Sequence, residues 1–148
     1  MAKSTFGFDA PEASPGFLLW QTTVTWQRLI KKILEEYDVS HAQFVIMAIL
    51  LWFEENHEET TQSLIVNMSK LDKMTVSKSL KKLVAQGFVN RTENQLDTRV
   101  KSVTLTQTGK VLVKKLVPLV EKIDAEFFGV LPQKDQCALI NILDQLML

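Results

Sequence analysis

The chain has 148 residues, the size of one domain, and 46% of them are apolar and 23% charged, a balance that supports a core and excludes global disorder. Seventeen basic residues cancel seventeen acidic ones, and the single cysteine excludes a disulfide framework or a cysteine-based zinc cage. With no apolar run long enough to span a bilayer and no signal-peptide pattern, a soluble cytoplasmic protein with no membrane partner is expected.

The first dozen residues, with Gly7 and Pro11 and then Pro15 and Gly16, read as an irregular arm. From about Phe17 to Tyr37, Phe17, Trp20, Val24, Ile30, Ile33 and Leu34 recur at helical spacing, and Asp38–Val39 breaks the pattern. Ser40, followed three residues later by Gln43, has the form of a capping box. The segment it opens, to about Phe53, is apolar nearly all round and should be central and buried. Glu54, Glu55, Glu58 and Glu59 around His57 form an acidic turn expected to be solvated. Thr60 or Thr61 caps a short helix bearing Leu64, Ile65 and Met68. Asp72 caps another that runs to about Gln86, with Gly87 in the position that ends helices. Phe88–Thr92 and Arg99–Leu105 read as two strands joined by the polar loop 93–97. Thr106 opens a long helix towards Phe128, with Pro118 inside it and a kink expected near Val117. Pro132 suits the first turn of a last helix. Short helix, short helix, hairpin is the order of a winged helix-turn-helix. The fold class is therefore mainly α with a small β-hairpin wing.

The neutral total hides a strong asymmetry. Between Lys70 and Lys115 lie eleven basic residues and only Asp72, Glu93 and Asp97, a surplus of +8, which favours one docking face for a polyanion. On the helix from Lys73 to Gln86, Val76, Leu80, Leu83 and Val84 fall on one stripe, while Lys78 and Lys82 face the other way with no acid among them. Such a rod fits the DNA major groove. Lys78 is placed to donate to guanine, Thr75 and Ser79 to bond base edges or phosphates, and Met74 to touch a thymine methyl. Ser77, Lys81 and Lys82 are placed for phosphate oxygens. The hairpin adds Arg91, Arg99 and Lys101. Asp97, two residues before Arg99, is suited to hold its guanidinium in one rotamer, and an arginine on a protruding finger can enter a narrow minor groove.

These residues resemble the MarR family of bacterial transcriptional regulators. The likeness runs from about Thr61 to Gly109. Met74-Thr75-Val76-Ser77-Lys78 is similar to the family's recognition-helix core, Asp97-Thr98-Arg99 to its wing signature, and Leu105-Thr106-Gln107-Thr108-Gly109 to the L-T-x-x-G that opens the next helix. The resemblance implies a homodimeric DNA-binding regulator, usually a repressor, acting on a near-palindromic operator and answering to a small-molecule or redox signal. It makes Thr75, Ser77 and Lys78 groove or phosphate contacts and Asp97–Arg99 the wing pair. Lys78 stands where arginine is usual, which removes the bidentate fork. Thr98 stands where a second basic residue is frequent, and Glu93 adds a negative charge.

The last ten positions hold seven apolar residues, too many to hide against one domain, and the first helix carries Phe17, Trp20 and Val24. Both ends are expected to interdigitate with a second copy, placing two recognition helices about 34 Å apart. The expected division is a DNA-binding lobe over 40–109 and a dimerisation region over 12–37 and 110–148. The family resemblance implies an effector, aromatic or other, bound between them, where Trp20, Trp26 and Trp52 are candidates for its lining, although core packing alone would explain all three. Cys137, on an apolar helix, is expected to be an inert core residue, and the family's redox cysteine near the first helix is missing. His41 and His57 with Glu54, Glu58 and Glu59 match no ligand spacing, so no metal or cofactor is expected. Nothing pairs a nucleophile with a base, so the chain is not expected to be an enzyme. The rival function is a winged-helix module whose wing and Lys78 face bind an acidic partner protein.

Overall fold

The computed structural model describes residues 4–147. After a 3₁₀ turn at Pro11–Ala13, the elements are α1 (Pro15–Glu35), α2 (His41–Glu55), α3 (Gln62–Ser69), α4 (Lys73–Ala85), β1 (Val89–Glu93), β2 (Lys101–Leu105), α5 (Gln107–Phe128) and α6 (Gln133–Leu146). The strands form one antiparallel pair, from Val89 opposite Leu105 to Glu93 opposite Lys101.

Local chemistry sets most of the boundaries. Helix α1 starts before Phe17 because Ser14 accepts from the Phe17 N–H at 3.2 Å and Pro15 occupies the first turn. The Ser40–Gln43 capping box is complete, with bonds of 2.9 and 3.1 Å. Thr61, not Thr60, caps α3. Thr60 is buried, with its carbonyl accepting from the Val103 N–H at 3.0 Å, so it ties the start of the lobe to the wing. Helix α4 closes as a Schellman motif. The Gly87 N–H, at φ 80°, bonds the Val84 carbonyl and the Phe88 N–H bonds the Leu83 carbonyl. This takes Phe88 out of the strand, which begins at Val89. The second strand begins at Lys101 because Asp97 folds the chain back at Arg99, leaving the Val100 N–H bonded to the Asp97 carbonyl at 3.0 Å. Helix α5 runs unbroken through Pro118.

The core lies where α2 meets α4, the hairpin and α5. Ile46, Met47, Leu50, Ile65, Val76, Leu80, Leu83 and Leu116 are fully buried there, each stabilising the fold by about 1.5–3 kcal/mol. The far half of α1 joins it through Ile30 and Leu34. Four expectations need correction. Val84 is 42% exposed and Trp52 64% exposed, because each lies just off the buried stripe of its helix. The acidic turn is not wholly solvated, because Glu54 accepts from the Leu105 N–H at 3.0 Å and pairs with Lys110 at 3.3 Å. Cys137 is exposed, because α6 buries none of its described residues; Leu148, counted among its apolar positions, lies outside the described residues. No correction attaches to His41 and His57, which flank opposite ends of α2, on the order of 20 Å apart, with His57 the left-handed residue that ends that helix.

Candidate nucleic-acid interface

Asp72 fixes the start of α4. Its carboxylate accepts from the Thr75 N–H at 2.7 Å and from the Thr75 hydroxyl at 2.9 Å, and these bonds hold it below the usual carboxylate range. The Thr75 hydroxyl proton is therefore engaged, which leaves its oxygen free only to accept. With Val76, Leu80 and Leu83 turned into the core, the opposite face of α4 presents Met74, Ser77, Lys78, Lys81 and Lys82, all exposed. Ser79 is half-buried on its flank. No acidic residue lies on α4 beyond its cap.

On the wing, Asp97 grips Arg99 three times. Its carboxylate accepts from the Arg99 backbone N–H at 3.0 Å, from Nε at 3.1 Å and, through the other oxygen, from Nη2 at 3.2 Å. The fork keeps Asp97 ionised, pulled down by the guanidinium first and the backbone second. The Arg99 side chain is nevertheless 89% exposed, so the pair fixes its direction without covering it. Lys101 pairs with Glu93 at 3.3 Å, which offsets part of its charge.

A cleft of about 770 Å³ separates α3 and the first turns of α4 from the wing. It gathers Ser77, Arg91, Arg99 and Lys101 of the sequence-expected set, while Thr75, Lys78, Ser79, Lys81, Lys82 and Asp97 lie outside its lining. It also contains residues that sequence reasoning missed: Gln62, Ser63 and Asn67 of α3, and Lys73. Gln62 Oε1 lies 3.5 Å from Arg91 Nη1 and orients it into the cleft. The polar spacing of Gln62, Ser63 and Asn67 on a short helix was the available signal.

Of the three tryptophans, Trp26 lines an apolar cleft of about 390 Å³ between α1, the end of α5 and α6. Trp20, like Trp52, is exposed, at 67%, so neither is core in this chain. Trp26 also donates its indole N–H to Asp124 Oδ1 at 2.7 Å and meets the His41 ring edge-on, joining α1, α5 and α2. Partial burial lowers the His41 pKa against the opposing pull of Asp124.

A helix with a cationic outer face beside an arginine-tipped hairpin defines a winged helix-turn-helix DNA-binding regulator. A family model described as "ArnR1-like, winged-helix domain" matches residues 35–122. The uncharacterized HTH-type transcriptional regulator YdcH of Bacillus subtilis (strain 168) is 38% identical over 128 residues, 86% of this chain and 87% of its own. Among solved structures, Bordetella bronchiseptica BpsR, whose DNA binding is regulated by 6-hydroxynicotinic acid, is 24% identical with a TM-score of 0.84, covering 95% of this chain and 97% of that one. A mutant MarR from E. coli complexed with operator DNA is 22% identical with a TM-score of 0.78, covering 90% and 93%. The chain belongs to the ArnR1-like winged-helix family and is similar to transcriptional regulators rather than to enzymes, with the fold of E. coli MarR. Among the described residues no helix is long and apolar enough to cross a membrane.

Proposed function

We propose that the protein is a cytoplasmic, homodimeric repressor that binds a near-palindromic operator and leaves it when a small molecule binds. The observation that carries this reading is the cleft that Lys73 and Ser77 of α4 share with Arg91, Lys101 and the exposed, Asp97-braced Arg99 of the wing. In this reading α4 lies in the major groove, with Lys78 and Ser79 at base edges and Thr75 accepting there. Ser77, Lys81 and Lys82 take phosphates, Arg91 and Lys101 hold the backbone beside the wing, and Arg99 enters the minor groove. The lobe spans 40–109.

The dimer rests on an unfinished surface. Phe17, Leu18, Leu19 and Trp20 of α1 and Ile140, Ile142, Leu143 and Leu146 of α6 are 38–69% exposed, a patch that calls for a partner. A second copy covering it through 12–37 and 110–148 would set the two recognition helices about one DNA turn apart. The apolar cleft beside Trp26 lies within that base, between α1, the end of α5 and α6, and is where an apolar or aromatic effector would change the relative position of the two lobes. The effector response of BpsR supports such coupling.

The test is selection of bound duplexes from a random pool, followed by titration of variants on the winner. An inverted repeat is expected. Arg99→Ala should weaken binding to every duplex that carries the flanking minor-groove segment. Lys78→Ala should change base preference within the half-site by about 1–3 kcal/mol. Wild-type behaviour of both variants in a gel-shift titration would refute the docking face.

A further inference from the structure

The wing tip holds out a side chain that the fold does not use. Leu96 is 99% exposed and is the only apolar residue between Thr92 and Thr98. A single exposed leucine is ordinary on a protein surface, but this one stands on a braced loop. The Asn94 N–H bonds the Val100 carbonyl at 2.8 Å. The Asn94 side-chain oxygen accepts from the Leu96 N–H at 2.9 Å and the Asp97 N–H at 3.3 Å, and its amide reaches Ser102 Oγ at 3.4 Å. The backbone at Leu96 is thus tied towards both strands, so part of the ordering cost of a contact there is already met. Three residues on, Arg99 extends into solvent, while Asp97 is occupied with its guanidinium.

We propose that Leu96 is a second reading element of the wing, entering the minor groove beside Arg99 and packing against the deoxyribose walls. This rests on the DNA-binding reading above and adds to it an uncharged contact at the flank of each half-site. The minor groove, about 6 Å wide, admits an aliphatic side chain but not a helix. Its walls are sugar C–H surface, which leucine can dehydrate at little cost. Leucine is among the side chains that minor-groove proteins insert. A narrow A·T-rich flank attracts the Arg99 cation and brings the same walls onto Leu96.

Wild type, Leu96→Ser, Leu96→Met and Arg99→Ala are titrated onto a duplex selected from a random pool, over a salt series, with hydroxyl-radical cleavage of the complexes. Leu96→Ser removes a fully solvated group, so thermal melting should be unchanged. Its affinity should fall roughly tenfold, the equivalent of burying one such side chain. Protection of the flanking sugars should disappear and the salt slope stay the same, because no charge is removed, whereas Arg99→Ala should lower the slope by about 0.9 for each phosphate no longer neutralised. Leu96→Met should restore most of the affinity. Wild-type affinity and footprint in Leu96→Ser would overturn the proposal, as would a weakening that Leu96→Met does not repair or that changes the salt slope. Failure of the wild type to bind any duplex would instead overturn the DNA-binding reading, and would be seen before a variant is made.

Discussion

The lobe from α2 through the wing and the base formed by α6 with the first half of α1 are built to opposite standards. In the lobe each helix start is capped by Ser40, Thr61 or Asp72, each strand is paired, and the apolar stripes of three helices meet in one core. In the base, α6 buries none of its described residues and α1 leaves Phe17 through Trp20 at 43–67% exposure. The helices of the base are as amphipathic as those of the lobe; what they lack is a surface to meet. The contrast shows which part is complete within one chain; the function proposed above assigns the exposed face of the other to a second copy.

The sharpest way to break this contrast is in the base. Leu143→Glu on α6 should yield monomers in sedimentation velocity, leave the lobe folded by circular dichroism, and reduce operator affinity on the order of 10²-fold as the avidity of two reading heads is lost. A dimer that survives with unchanged affinity would mean that the exposed face serves something else. Next in size is Gly109, in the first turn of α5, where an added Cβ would overlap the Phe88 carbonyl. Gly109→Ala should therefore destabilise the lobe by about 3 kcal/mol in urea denaturation, with the monomer–dimer balance changed only through unfolding. Ser40→Ala removes one half of the α2 capping box and should cost about 1 kcal/mol by the same measurement.

The smallest effect belongs to His41, at the seam between the two regions. Burial lowers its pKa from the ordinary 6.5, so the unfolded chain binds the proton more readily than the folded one. The stability this contributes is fully present above about pH 6.5 and is lost as pH falls through the depressed folded value. Asp124, on α5, opposes the shift. His41→Phe should flatten the dependence of melting temperature on pH between 7 and 5; an unchanged slope would assign that dependence to other groups.

Much of this molecule was written locally. The Ser40–Gln43 box, the Asp72 and Thr106 caps, Gly87 at the end of α4 and the Asp97–Arg99 fork all act between residues at most four apart, and their chemistry can be read from spacing alone. The two opposed faces of α4 follow from a 3.6-residue period. Those features were enough to define the fold and most of the cationic face.

What only tertiary structure decided are contacts between residues far apart in the chain. Glu54 reaches Leu105 and Lys110; Gln43 donates to Gln86, which in turn donates to the Asp38 carbonyl; Trp26 finds Asp124. The place of Gln62 beside Arg91, and the lack of room at Gly109, belong to the same class. A carboxylate in an acidic run is indistinguishable by composition from its solvated neighbours; only the approach of β2 and α5 makes Glu54 a partner. Likewise, Trp52 and Cys137 were expected inside because their helices are apolar, and they lie outside because burial depends on what packs against a face rather than on the face itself.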